Sequence, residues 1–198
     1  MKKSLYSIFA LMAMLVAFTS CEKDEVENTA TVEMAGEWHV HISAIDPATG
    51  NVLINEETGE PEDDWFGDGY YNITTSNTAA NVANEMWLVD ANATYFPYQV
   101  KIDVNPSTMI FNSSTDTENL FGPSAIMARY FGVDDAGEYV TISDGKIIKD
   151  GYTKANGIKV DYIEFYVSFK NDPLPDMEGT SNKYKVSGFR YTGFVEDE

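Results

Sequence analysis

Two histidines, His39 and His41, stand two positions apart in Gly36-Glu37-Trp38-His39-Val40-His41-Ile42. In an extended chain that spacing puts both imidazoles on one face. Two imidazoles so placed are half of a metal site, which carboxylates would have to complete. The same alternation puts Trp38, Val40 and Ile42 on the other face. If that face is the core, both histidines look to solvent and no metal is expected. A Ser-His-Asp hydrolase needs its serine held on a sharp turn. The chain has no Gly-x-Ser-x-Gly, and Ser124 in Gly122-Pro123-Ser124 is the nearest imitation, without the second glycine. Paired carboxylates could serve a glycosidase, but 32 acidic residues are too many to single out two. Asp63, Asp64 and Asp68 could hold Ca²⁺ with loop carbonyls, at a spacing unlike the EF-hand loop. No glycine-rich phosphate loop is present. The residues therefore name no catalytic group, no cofactor and no metal, and the reading leans against an enzyme. Cys21 is the one cysteine, which excludes an internal disulfide and a cysteine metal cluster.

The elements that would carry such groups read as strands. Period-two alternation recurs after Gly36, with turn residues between the runs. Strands are expected at residues 36–42, 70–75, 85–90, 98–104, 108–111, 138–143, 146–149, 159–169 and 183–192. Tyr98, Val100, Ile102 and Val104 share one face, and Ile163, Phe165, Val167 and Phe169 another. Asp144-Gly145 and Asn156-Gly157 read as tight primed turns. Short connections make neighbours antiparallel, and closing such a sheet removes its edges. The expectation is an all-β antiparallel barrel of about eight or nine strands, with a β-sandwich as runner-up. Two long connections break the pattern. Residues 45–69 end in Trp65-Phe66, either a lid or a plug for one barrel end. Residues 112–135 include the apolar run from Leu120 to Phe131, where Pro123 would open a short helix packed on the barrel.

The 198 residues, 43% of them hydrophobic, suffice for one domain with a full core. A formal charge of −19 repels phosphate, so nucleic acid and anionic membrane surfaces are not expected partners. The first 20 residues carry Lys2 and Lys3 and then an apolar stretch too short to span a bilayer with ease. Residues 21–33 read as a polar tether and 34–198 as the single barrel domain.

Phe18-Thr19-Ser20-Cys21 resembles the bacterial lipobox, with Phe18 where leucine is usual. The resemblance implies a lipoprotein signal peptide cleaved after Ser20, diacylglycerol on the Cys21 sulfur and acylation of the new amine, palmitate included. Three acyl chains would anchor the protein to a membrane. Glu22-Lys23-Asp24-Glu25 resembles the export signals of surface-exposed Gram-negative lipoproteins, which implies the outer membrane and the cell surface; a periplasm-facing anchor is the alternative. The Gly36-x-Trp38 start of the first strand resembles the lipocalin-like barrels. That resemblance implies Trp38 under the barrel floor, packed against a basic residue of the last strand, here Arg190. By leader and size the chain also resembles the small lipoproteins labelled lipid-binding putative hydrolases, which implies a bound lipid.

Expected function follows from both readings. An eight-stranded barrel holds one small apolar ligand or fills with side chains. Tyr98, Val100, Ile102, Ile163, Phe165 and Val167 would line the cup, with Trp65 and Phe66 at its opening, and the partner would be a lipid or other hydrophobic small molecule. The alternative is a non-catalytic interaction or glycan-binding module of a surface complex, contacting through Trp65, Tyr70 and Tyr71. A hydrolase comes third, and a cleft pairing His39 or His41 with a serine or aspartate would raise it.

Overall fold

A computed structural model describes residues 28–67 and 69–193. Nine strands follow in chain order: β1 (Gly36–Ala44), β2 (Tyr71–Asn77), β3 (Glu85–Asp90), β4 (Tyr98–Asn105), β5 (Ile110–Asn112), β6 (Thr117–Glu118), β7 (Tyr139–Thr153), β8 (Lys159–Phe169) and β9 (Tyr184–Arg190). Two short helices interrupt them, α1 (Ala125–Phe131) and α2 (Leu174–Glu178). The pairing order is β5-β4-β3-β2-β1-β9-β8-β7-β6, and β5 also pairs with β7. That last pairing closes eight strands into an antiparallel barrel and leaves β6 as an extra strand on β7. The barrel expectation is met, and the sandwich is not.

Alternation decides what lies inside. Trp38, Val40 and Ile42 of β1 face inward, as do Tyr98, Val100, Ile102 and Val104 of β4 and the odd-numbered apolar residues of β8. They join one contiguous core with Ile73, Leu88, Phe111, Ile142 and Val186. Burying one such side chain contributes roughly 1.5–3 kcal/mol before entropy is counted.

Two strand expectations are corrected. Residues 138–143 and 146–149 belong to one strand, β7, and Asp144-Gly145 is a bulge within it. The register against β8 shifts between Ser143 and Lys146 and again between Ile148 and Tyr152. The alternating run from Tyr162 to Phe169 in β8 needs a continuous partner, so the neighbouring strand runs on through the Asp-Gly pair. Asn156-Gly157 does turn the chain into β8, with Gly157 left-handed (φ +84°) and the Lys154 N–H donating to the Ile158 carbonyl at 2.9 Å. Asn156 is not among the residues with positive φ, so the turn is of the unprimed kind followed by a left-handed glycine. In the second long connection, the helix opens on Ser124 as its cap, one residue after Pro123.

The barrel's two ends differ. At the floor, β1 starts beside the end of β9, and Trp38 and Arg190 are register partners. Packing begins ahead of Met34: Thr31 is buried and donates to Asn77 Oδ1 at 2.7 Å, and Met34 is itself buried. At the mouth, β1, β3, β6 and β8 all run out into longer connections. These are residues 45–70, residues 91–97, the segment holding α1, and the segment holding α2. Among the described residues, no helix is long and apolar enough to cross a membrane.

Candidate functional site

Each of the four mouth connections sends an apolar side chain over the barrel opening. Trp65 and Phe66 come from the β1–β2 connection, which is fastened where the Trp65 N–H donates to the Ile42 carbonyl at 2.9 Å. Tyr95 comes from the β3–β4 turn, where the Asp90 carboxylate accepts from the Asn92 and Ala93 amides. Phe131 ends α1. The Ser124 hydroxyl accepts from the Met127 N–H at the start of that helix and donates to the Tyr95 carbonyl. This serine, the nearest imitation of a nucleophile in the sequence, thus ties α1 to the neighbouring turn. Leu174 and Glu178 come from α2.

Between these side chains lies a cavity of about 370 Å³. A second, of about 320 Å³, is lined by Thr94, Tyr95, Ile126, Tyr130 and Phe131, so the two share Tyr95 and Phe131. Glu178 is the one charged residue among the described lining of the larger cavity. Beneath it, a column of rings runs inward. Phe66 lies 4.8 Å from Tyr95 and 5.3 Å from Tyr184, Tyr184 lies 6.1 Å from Phe169, and Phe169 lies 5.8 Å from Tyr98. Two polar groups stand in that column. The Tyr184 hydroxyl donates to Asp172 Oδ2 at 2.7 Å, and burial raises the affinity of both side chains for their protons. The Tyr98 hydroxyl is buried without a hydrogen-bond partner among the described residues, and burial holds it protonated.

Of the residues expected to line a cup, Trp65 and Phe66 stand at this mouth cavity. Tyr98, Val100, Ile102, Ile163, Phe165 and Val167 lie deeper, each at most 1% exposed and packed in the core. Phe165, for example, meets Phe111 at 5.7 Å, ring edge to ring face. Tyr71, read as an exposed contact residue, is buried at the start of β2. Tyr95, Leu174 and Glu178 were not read from the sequence. The Pro173-Leu174-Pro175 stretch was their one legible signal, since prolines at a helix start mark a built turn.

The floor holds the other quoted motif. The Arg190 guanidinium lies 4.3 Å from the centroid of the Trp38 ring. It donates to the Ala35 carbonyl at 2.7 Å and the Glu33 carbonyl at 3.3 Å, and it pairs with Asp161 at 3.1 Å. The Trp38 N–H donates to Thr75 Oγ1 at 2.9 Å. Gly36 is where the guanidinium passes, and a Cβ there would overlap Arg190 Nη1. Burial alone would raise the Asp161 pKa, but the Asp150 amide, Lys149 and Arg190 outweigh it and hold it low.

His39 and His41 face outward, yet neither stands bare in solvent. Tyr70, Phe189 and Tyr191 ring His39 at 5.2–5.8 Å. His41 lies 4.9 Å from Tyr70, and its Nε2 is 3.4 Å from the Ser187 hydroxyl. Burial lowers the His41 pKa, against the opposing pull of Asp63 and Asp64. Here a histidine does meet a serine and an aspartate in a cleft. Ser187, however, sits mid-strand between its register partners His41 and Glu164, where backbone amides are committed to the ladder. No pair of free amides is left beside it to hold an oxyanion. Asp64 accepts from the Gly69 amide at 3.0 Å, and Asp68 lies outside the described residues, as does Cys21. Among the described residues, no three His, Cys, Asp or Glu side chains converge as metal ligands.

A closed antiparallel barrel with its Trp–Arg floor and an aromatic-walled mouth defines a lipocalin-like binding protein. More narrowly, the chain belongs to the family described as lipid-binding putative hydrolase, whose model matches residues 23–195. No curated protein matched the chain. Family and barrel together support a lipid-binding role.

Proposed function

We propose that the protein is an outer-membrane or cell-surface lipoprotein, anchored through Cys21, that takes one lipid-like molecule at the barrel mouth. The observation that carries this reading is the cavity of about 370 Å³ walled by side chains from all four mouth connections. Its size falls in the range of small-ligand sites, about 300–1,000 Å³. Aromatic rings of Trp65, Phe66, Tyr95 and Phe131 offer an apolar chain the contact area it loses water to reach. Glu178 at the cavity and a formal charge of −19 both disfavour an anionic head group. The ligand is therefore a lipid with a neutral or cationic head. The anchored tether holds the mouth within reach of membrane lipids or of lipids released nearby.

Calorimetric titration of residues 22–198 with a monoacylglycerol and with the matching fatty acid tests this. The neutral lipid binds more tightly than the acid at alkaline pH. Phe131 lines both cavities and is 36% exposed, so Phe131→Asp charges the mouth without opening the core. That variant binds the monoacylglycerol at least about tenfold more weakly, a loss of about 1.4 kcal/mol. Unchanged affinity in the variant would place the ligand elsewhere.

A further inference from the structure

A second cleft, about 200 Å³, lies on the outer wall of the barrel, where Val52, Asp63 and Tyr70 of the β1–β2 connection stand beside residues of β1 and β9. Its wall is unlike the mouth. Tyr70, Tyr152, Tyr162 and Asp63 line it, with Tyr70 and Asp63 at its exposed rim. Burial raises the Tyr70 pKa, and Tyr152, Asp63 and Tyr162, which line the same cleft, add to that. Ser43, Ser187 and His41 add further donors and acceptors, and Lys185 reaches the same cleft from its pairing with Glu164 at 3.4 Å. Flat faces are present too: Tyr152 stacks on Phe189 at 4.6 Å with 12° between the rings.

We propose that this cleft binds a single neutral sugar ring, free or at the end of a glycan. Size sets the first limit, since 200 Å³ lies below the range that lipid- or drug-sized ligands fill. Charge sets the second. Lys185 is already paired with Glu164 while Asp63 faces the cleft, so an anion meets a carboxylate there and is excluded. Chemistry sets the third: rings beside many hydroxyls match a ligand with an apolar face and a hydroxyl rim. The site is separate from the mouth, with no lining residue in common.

The test is saturation-transfer NMR on residues 22–198 with glucose, galactose, mannose and N-acetylglucosamine, and with acetate and choline as charged probes. At least one sugar receives transfer, and the charged probes receive none. Asp63→Asn and Tyr70→Phe, which keep side-chain size, each weaken that sugar at least about tenfold, and Phe131→Asp leaves it unchanged. Failure of every sugar, a sugar signal that survives both cleft substitutions, or preferential binding of either charged probe overturns the proposal. Monoacylglycerol binding is measured on the same samples, so loss of the mouth reading and loss of this one are told apart.

Discussion

Arg190 shows how much one side chain can organise. Its guanidinium covers the Trp38 ring, closes the carbonyls of Ala35 and Glu33 and neutralises Asp161. A cation over an indole face contributes about 0.5–2 kcal/mol, more where water is excluded. The Gly36 position exists to let it through. Gly36→Ala is therefore expected to cost about 1–3 kcal/mol, as overpacking does. In the Arg190→Ala background the same change costs much less, because the clash is gone. Urea midpoints of the four proteins measure both; additive losses would contradict the account. Asp172 makes a different prediction. Burial raises its pKa, so the folded protein keeps the proton over a range where the unfolded chain has released it. Its stabilising contribution is complete below the ordinary aspartate pKa and is lost as pH rises through the folded value. Asp172→Asn keeps a polar partner for Tyr184 without a charge. Relative to wild type, the variant gains stability as the pH rises above the ordinary aspartate value, read from urea midpoints at each pH. The Gly-x-Trp motif was legible in the sequence because three residues carry it in one strand. The Asp172–Tyr184 pair was not, since an acid and a phenol 12 positions apart announce nothing until the β8–β9 connection folds back on itself.

Among the elements, β7 teaches most. Asp-Gly between two alternating runs reads locally as a hairpin, and the local reading loses to the partner strand. β8 alternates without a break from Tyr162 to Phe169, so the chain opposite bulges and continues. Gly145 pairs with Phe111 where β5 meets β7, at the seam that closes the barrel. A Cβ at Gly145 would overlap the Phe111 ring and press on its carbonyl. Gly145→Ala is thus expected to cost more than about 2 kcal/mol and to speed unfolding. A glycine serving only a solvent-exposed turn would lose about 1 kcal/mol or less. Strand identities were legible because period two is imposed by burial of one face. The short pieces were not. β6 is two residues, and α2 is five, below the length at which a period can be seen. The five-residue α2 supplies Leu174 and Glu178 and a turn supplies Tyr95, which is why the expected lining residues named the barrel interior and not these three.

At the scale of the molecule, the barrel separates its tasks by end and by wall. The floor, where β1 begins, is sealed by Trp38, Met34 and Arg190. The mouth points away from it, which suits a protein held at its N-terminus beside a membrane. Cys21→Ser is expected to leave the protein unacylated and soluble after osmotic shock, while wild type stays with the membrane fraction and incorporates labelled palmitate. Equal partitioning of the two would remove the anchor from the account. The central claim is that the mouth holds a lipid, and native mass spectrometry of residues 22–198, purified without denaturation, tests it most directly. The account predicts a bound lipid-sized mass that organic solvent releases and that Phe131→Asp lacks. A bare protein mass in wild type that takes up no monoacylglycerol on titration, or equal occupancy in the variant, would contradict it.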